Sequence, residues 1–456
     1  MSKKSNNKIL NFAIIAGISG IVFVFISFIG VLMMDSSATS EGFKKQPEDI
    51  AIFAESNNYS ITNGSDEVQS IFKDPKFFIN NQNDTTDNDD SLKEIDELRK
   101  DVLDIRNSNV LNEDLVLYDG PIKHIFFHPL IAFPELAFDG DYIAQGFDDW
   151  FITVKEFNKI LDSLYKNDYI LIDINYIYEE KIEFGDLNKP SDLSKSDKSD
   201  VISSGSKKLI TKRDLLLPPG KKPIIISIDD NNYYKYMKQN GVVHKLILDF
   251  KGNVSDYSIT PDGKELISKE NDIIPILNEF VKNHPDFSFR GAKGIIALTG
   301  YEGILGYRTD NPPAPNIEEE KQEAGKIIKR LKETGWTFAC HGYGHLDAIK
   351  SSYETLKKDT QRWKDEVESL VGPTSVYIFP FGSGVLPGSE KSNYLRDAGF
   401  PIMCAVGNGD YIDYATDVIY MDRIHIDGVA FKDRMPILKE MFEIDEVVDD
   451  VRPWIE

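Results

Sequence analysis

Cysteine is nearly absent from this chain: Cys340 and Cys404 are the only two among 456 residues. That excludes a disulfide framework, since one bridge at most can form. Both cysteines fall in apolar runs that read as core strands, where buried free thiols are the expectation. Basic residues are in deficit, with 52 Lys and Arg against 75 Asp and Glu, a net charge of −23. So acidic a chain is a poor match for a phosphate backbone, which argues against a nucleic-acid partner. It would attract a cationic polymer, but acidity is too common among soluble domains to identify one. No internal repeat is visible, and no protein partner is implied.

Long apolar runs are missing with one exception. Ile9 to Met34 contains no charged residue, follows Lys3, Lys4 and Lys8, and ends at Asp35. At about 1.5 Å per helical residue this run can cross a hydrocarbon core of about 30 Å. A cleaved signal peptide has a shorter apolar region, of about 7–15 residues, and Ser37-Ala38-Thr39 is a weak cleavage site. No cysteine follows for lipid attachment. Positive charge before the run and acid after it place the N-terminus in the cytoplasm and the rest outside. The expected organisation is a cytoplasmic tail (1–8), a transmembrane anchor (9–34), a polar stalk (35–115) and one large domain (116–456) on a single-pass membrane protein. Asn, Asp and Ser dominate the stalk, a composition that cannot bury enough apolar surface to order itself. Leu92, Ile95, Leu98, Leu103 and Ile105 give it one amphipathic helix. A second polar stretch, 188–208, reads as a surface insertion in the domain.

Within the domain, apolar strands at Ile125, Ile170, Ile224, Ile295, Thr337, Tyr377 and Ile402 alternate with helical patterns such as Glu318 to Glu333 and Tyr353 to Leu370. That alternation argues for βα units around a parallel sheet. Histidine is scarce too, at seven residues, so its placement is informative. The run Ile224-Ile225-Ile226-Ser227-Ile228 ends on Asp229-Asp230, and Cys340-His341-Gly342-Tyr343-Gly344-His345 follows Trp336-Thr337-Phe338-Ala339. An acid pair at a strand end is ordinarily a turn, and two histidines at i and i+4 are ordinarily a surface or core feature. Here both stand at the ends of apolar strands, where charge is costly to bury unless it is paired or metal-bound. One carboxylate with two imidazoles is a divalent-metal ligand set that leaves positions open, and the second carboxylate can accept a proton from water. Cys340 points away from His341 on a strand and is not counted a ligand.

Ser227-Ile228-Asp229-Asp230, His341-Gly342-Tyr343-Gly344-His345 and Phe379-Pro380-Phe381-Gly382, in that order, resemble the motifs of the polysaccharide deacetylases, carbohydrate esterase family 4. The likeness runs from about Pro121 to Gly428. It includes an early strand, Ile125-Phe126-Phe127-His128, and the stretch Phe151 to Phe157. The resemblance implies an irregular (β/α)7 barrel. It places Asp230, His341 and His345 on metal-ligand positions and Asp229 on the general base. His128 falls on the general acid, with His425 as the competing candidate, and a backbone N–H near Phe381 on the oxyanion. The implied cofactor is one divalent ion, zinc by its fit to two imidazoles and a carboxylate, with Co, Ni, Mn or Fe as alternatives. Phe381, Gly382, Tyr301 and Arg308 are candidates for holding substrate.

The departures are as informative. The third motif lacks its arginine, the aligned residue being Ile378; Asn231 and Gly342 replace the family's glycine and its Ser or Thr. In the family that arginine orients the base aspartate, so its loss calls for a substitute, for which Arg308 is a candidate. The expected activity is metal-dependent N-deacetylation of an extracytoplasmic glycan such as peptidoglycan or poly-N-acetylglucosamine. The alternatives are a catalytically silent glycan-binding relative and an O-deacetylase of a wall polysaccharide.

Overall fold

The computed structural model describes residues 115–184, 206–407, 409, 411–415 and 417–455. The expected anchor, all but the last residue of the stalk, and most of the polar insertion lie outside the described residues. Among the described residues no helix is long and apolar enough to cross a membrane. The final three residues of the insertion are strand rather than loop: Ser206–Lys212 pairs antiparallel with Tyr178–Phe184.

The strands that matter are β1 (Lys123–Phe127), β2 (Tyr169–Leu171), β3 (Lys222–Asp229), β4 (Ile295–Leu298), β5 (Thr337–Cys340), β6 (Val376–Ile378), β7 (Ile402–Val406), β8 (Ile412–Ala415) and β9 (Val418–His425). Seven of them close a parallel ring in the order β1-β3-β4-β5-β6-β7-β9, with β9 returning to β1. Every ring strand is flanked on both sides, which is why these segments read as continuous apolar runs and not as alternating ones. Between them run helices with ordinary stop and start signals. α1 (Val154–Lys166) opens with a reciprocal capping box between Thr153 and Glu156. α2 (Ile317–Glu333) buries Ala324, Ile327, Ile328 and Leu331 on one stripe. α3 (Tyr353–Trp363) is capped by Ser352.

The strand expected at Ile170 forms, but off the ring. β2 pairs only with the first half of β3, Tyr169↔Lys222 to Leu171↔Ile224, on the edge that β4 occupies from Ser227 to Asp229. The place on the ring goes to β9, absent from the expected strands because Asp422 and Arg423 interrupt its apolar run. Arg423 is nevertheless fully buried, and its partner explains why.

The carboxyl ends of the ring strands meet on one side, the side that carries functional groups in barrels generally. β1 delivers His128, β3 delivers Asp229 and Asp230, β5 delivers His341, β6 leads into Phe381, and β9 carries Arg423 and His425.

Candidate active site

Asp229, the last residue of β3, is 3% exposed. The Arg423 guanidinium grips its carboxylate with both arms, Nη1 to Oδ1 at 2.7 Å and Nη2 to Oδ2 at 3.0 Å. Burial by itself would raise this acid, but the charge of Arg423 outweighs it and holds Asp229 at about 2. Arg423 also lies over the Phe126 ring, 4.1 Å from its centroid. The substitute for the missing arginine is therefore Arg423. Arg308 instead donates to the Glu302 carbonyl at 2.8 Å and its carboxylate at 3.2 Å, with its side chain 37% exposed. A loop acid within six residues is the nearer partner for a cation on that rim.

Asp230, His341 and His345 are all buried and bring one ligand atom each to within 4.8 Å of one another. Local bonding orients the donors. His341 Nδ1 lies 2.8 Å from the Ile378 carbonyl, to which it donates, turning Nε2 to the site. The aligned position that lost its arginine thus contributes through its backbone. Asp230 Oδ1 accepts from the Tyr234 hydroxyl at 2.8 Å, and Oδ2 stands 3.6 Å from His345 Nε2. Burial lowers both imidazoles, His345 to about 4, so each is neutral with a lone pair to offer. Burial raises Asp230, the response of a carboxylate set among neutral donors. Two nitrogens and one oxygen around one point fit a divalent cation.

The backbone carrying these groups is unusual. Asp230, His345 and Phe381 all have positive φ, at 60°, 52° and 59°, a strained conformation for residues with a Cβ. Around His341 the chain is pinned by Asp359 of α3, whose carboxylate accepts from the Tyr343 and Gly344 N–H groups at 2.7 and 2.8 Å. Gly342 has φ of 67°, and a Cβ there would meet that carboxylate at 2.9 Å. The glycine that replaces Ser or Thr is thus the residue this clamp admits.

His128 Nδ1 is 2.9 Å from the Trp150 carbonyl, which leaves Nε2 as its other polar atom. His425 Nδ1 pairs at 2.8 Å with buried Asp427. Burial works against its charging, yet Asp427 and Asp433 raise its pKa overall. Tyr301 stacks on Tyr234, with centroids 4.5 Å apart and planes 9° from parallel, which sets it one ring away from Asp230. Phe381 meets the His345 ring edge-on at 4.6 Å. Gly382 has φ of 65° and faces Val406, whose Cβ would lie 2.4 Å from a Cβ at that position.

Three residues of the site escaped sequence reasoning: Arg423, Tyr234 and Asp359. Only Arg423 had a legible signal, since an acid buried at a strand end requires a buried cation and Arg423-Ile424-His425 is one of few basic groups inside an apolar run.

A parallel barrel with a buried acid held ionised beside an Asp–His–His cluster defines a hydrolase site. Residues 314–402, from the approach to α2 through the His341–His345 loop and Phe379–Gly382, match the polysaccharide deacetylase family model. Over that stretch the chain is similar to the polysaccharide deacetylases, a likeness that supports a deacetylase hydrolase. Among solved structures it is similar to a polysaccharide deacetylase from Bacillus cereus, at 14% identity over 71% of this chain and 69% of that one, with a TM-score of 0.37. A de-N-acetylase from Aggregatibacter actinomycetemcomitans shares 13% identity over 71% of this chain and 100% of its own, TM-score 0.37. The Streptococcus pyogenes deacetylase PplD, solved with acetate, shares 10% over 71% and 99%, TM-score 0.35. No curated protein matches the chain significantly.

Proposed function

We propose that the protein removes acetyl groups from N-acetylated sugars of a glycan outside the cytoplasm, of the peptidoglycan or poly-N-acetylglucosamine type. The observation that carries this reading is the convergence of Asp230, His341 and His345 beside an aspartate clamped by Arg423. A divalent ion held by those three, zinc or one of Co, Ni, Mn and Fe, would polarise the acetyl carbonyl and acidify water, from a pKa of about 15.7 towards about 7.

The protein's own groups do the rest. Asp229, ionised throughout the working range, accepts the proton of the attacking water. As the new C–O bond forms, the carbonyl oxygen takes up charge beside the backbone near Phe381. The C–N bond then breaks, and His128 Nε2 delivers a proton to the departing nitrogen. Acetate and a free amine result. His128 suits the role better than His425 because its Nδ1 is held by the Trp150 carbonyl with Nε2 left over, whereas His425 is committed to Asp427. Tyr301, Phe381, Gly382 and Arg308 would line the approach of the sugar. The silent-relative alternative rested on the missing arginine, and Arg423 supplies a guanidinium on Asp229. The uncharged run at 9–34 supports a membrane-held enzyme with this domain outside.

The test is acetate release by the full chain from peptidoglycan, N-acetylglucosamine oligomers and an O-acetylated glycan, each with chelator or with added Zn or Co. Release that requires cation and disappears in Asp229→Asn is expected, with the N-acetylated substrates preferred. Preference for the O-acetylated glycan would make the enzyme an O-deacetylase. No release from any substrate, with cation bound, would overturn the reading.

A further inference from the structure

His124 lies on β1, fully buried, beside Ser227 of neighbouring β3. Its Nε2 is 3.0 Å from Ser227 Oγ, and its Nδ1 has no hydrogen-bond partner among the described residues. Ser227 Oγ also accepts from Arg423 Nη1 at 3.2 Å, and the same nitrogen donates to Asp229 Oδ1 at 2.7 Å. Counting hydrogens gives the chain a direction. Arg423 Nη1 has two, one for Asp229 and one for Ser227. The serine hydroxyl hydrogen then has His124 Nε2 as its acceptor, so that nitrogen carries a lone pair and Nδ1 carries the hydrogen. The opposite tautomer would aim Nε2–H at Ser227 and leave the serine hydrogen, as well as Nδ1, without a partner.

We propose that His124 is a positioning residue for Asp229, acting through Ser227 and Arg423. It rests on the deacetylase mechanism above and deepens it. A neutral imidazole presenting Nε2 keeps the serine oxygen turned toward Arg423. One Nη1 hydrogen is thereby fixed, the other can only meet Asp229, and the plane of the carboxylate follows. Oδ2, which accepts from Arg423 Nη2 at 3.0 Å, then faces the triad, 3.9 Å from His341 Nε2. The surroundings keep the imidazole neutral: burial first and then the charge of Arg423 lower its pKa well below the ordinary value, against the opposing pull of Asp229.

Two measurements on the full chain test this. The first needs no turnover. Histidine-selective nitrogen-15 spectra, with the His124 signal assigned by its loss in His124→Gln, are expected to show a neutral Nδ1–H tautomer from about pH 5 to about pH 8. An Nε2–H tautomer, or titration within that range, would overturn the proposal. The second compares His124→Met, which removes the acceptor, with His124→Gln, whose Oε1 can replace it. The methionine variant is expected to lose roughly tenfold in kcat with KM within about twofold, its acidic limb moved to higher pH, and glutamine to restore both. Equal loss in both variants, or a change confined to KM or metal content, would mean packing alone and would sink the idea. Should the wild type release no acetate, the deacetylase reading fails on its own and the tautomer still decides the chain.

Discussion

Two groups of buried carboxylates sit on either side of one short loop and behave in opposite ways. Asp229 is buried against Arg423 and held at about 2. Asp256 and Asp272 are just as deeply buried, but among the described residues no cationic side chain bonds to either. They are driven up, by burial first, to about 6 and about 7. Polar links join the two groups: Asn231 donates to the Tyr233 hydroxyl at 2.7 Å, and that hydroxyl donates to Asp272 at 2.9 Å. Burial is common to both, so it cannot be what keeps Asp229 ionised. The guanidinium makes the difference, keeping one acid charged while the other two lean toward the protonated form.

The largest effect should come from removing that guanidinium. Arg423→Leu leaves Asp229 buried without a counter-charge, and breaking a buried pair this way costs about 3–5 kcal/mol. Urea unfolding at neutral pH measures it, and adding Asp229→Asn to the same chain should recover much of the loss. A penalty below about 1 kcal/mol, the worth of an exposed pair, would mean that the clamp is not what holds Asp229 charged.

The next effect is in the sign of the pH dependence. Asp229 has its pKa depressed from 3.8 to about 2, so its contribution to stability is present above 3.8 and is lost as pH falls toward 2. Asp272 is raised from 3.8 to about 7. Its contribution is complete below 3.8 and is lost as pH rises through about 7. Asp272→Asn keeps an N-cap for the helix at Ile273–Asn283 and removes the titration. It should flatten the decline in stability between about pH 4 and about pH 7. The gain at the upper end is roughly 2–4 kcal/mol, since each tenfold change in proton affinity is worth about 1.4 kcal/mol. A slope there unchanged by the substitution would dissolve the contrast between the two groups.

The same contrast explains what was legible in the chain before folding. Asp229-Asp230 and His341 to His345 announce themselves because each motif is contiguous and closes an apolar run, so local pattern is enough. The closed ring was legible as a strand count. Its membership was not, because pairing edges are chosen in three dimensions: β2 loses half an edge of β3 to β4, and β9 takes the open place although its sequence carries Asp422 and Arg423. The guanidinium on Asp229 comes from 194 residues further along the chain, and no spacing rule reaches that far. Ile378 is the subtler case. Its side chain marked a loss, but the backbone carbonyl that orients His341 has no sequence signature at all.

The smallest expected effect separates the two arginines. Arg308 was the natural candidate on sequence for the absent motif arginine, lying in a loop rich in glycine and tyrosine after β4. In the fold it forms a half-exposed pair with Glu302, and such pairs contribute about 0–1 kcal/mol. Arg308→Gln should therefore move the unfolding midpoint little and leave the acid-side loss of stability that belongs to Asp229 in place. It should act, if at all, on KM for the glycan, since the side chain stands at the rim and not against the base. A kcat collapse in Arg308→Gln like that expected of an arginine on Asp229 would show that the working enzyme exchanges one guanidinium for the other. A KM effect alone would leave Arg423 as the clamp, because its two bonds to Asp229 form in full burial where water cannot replace them.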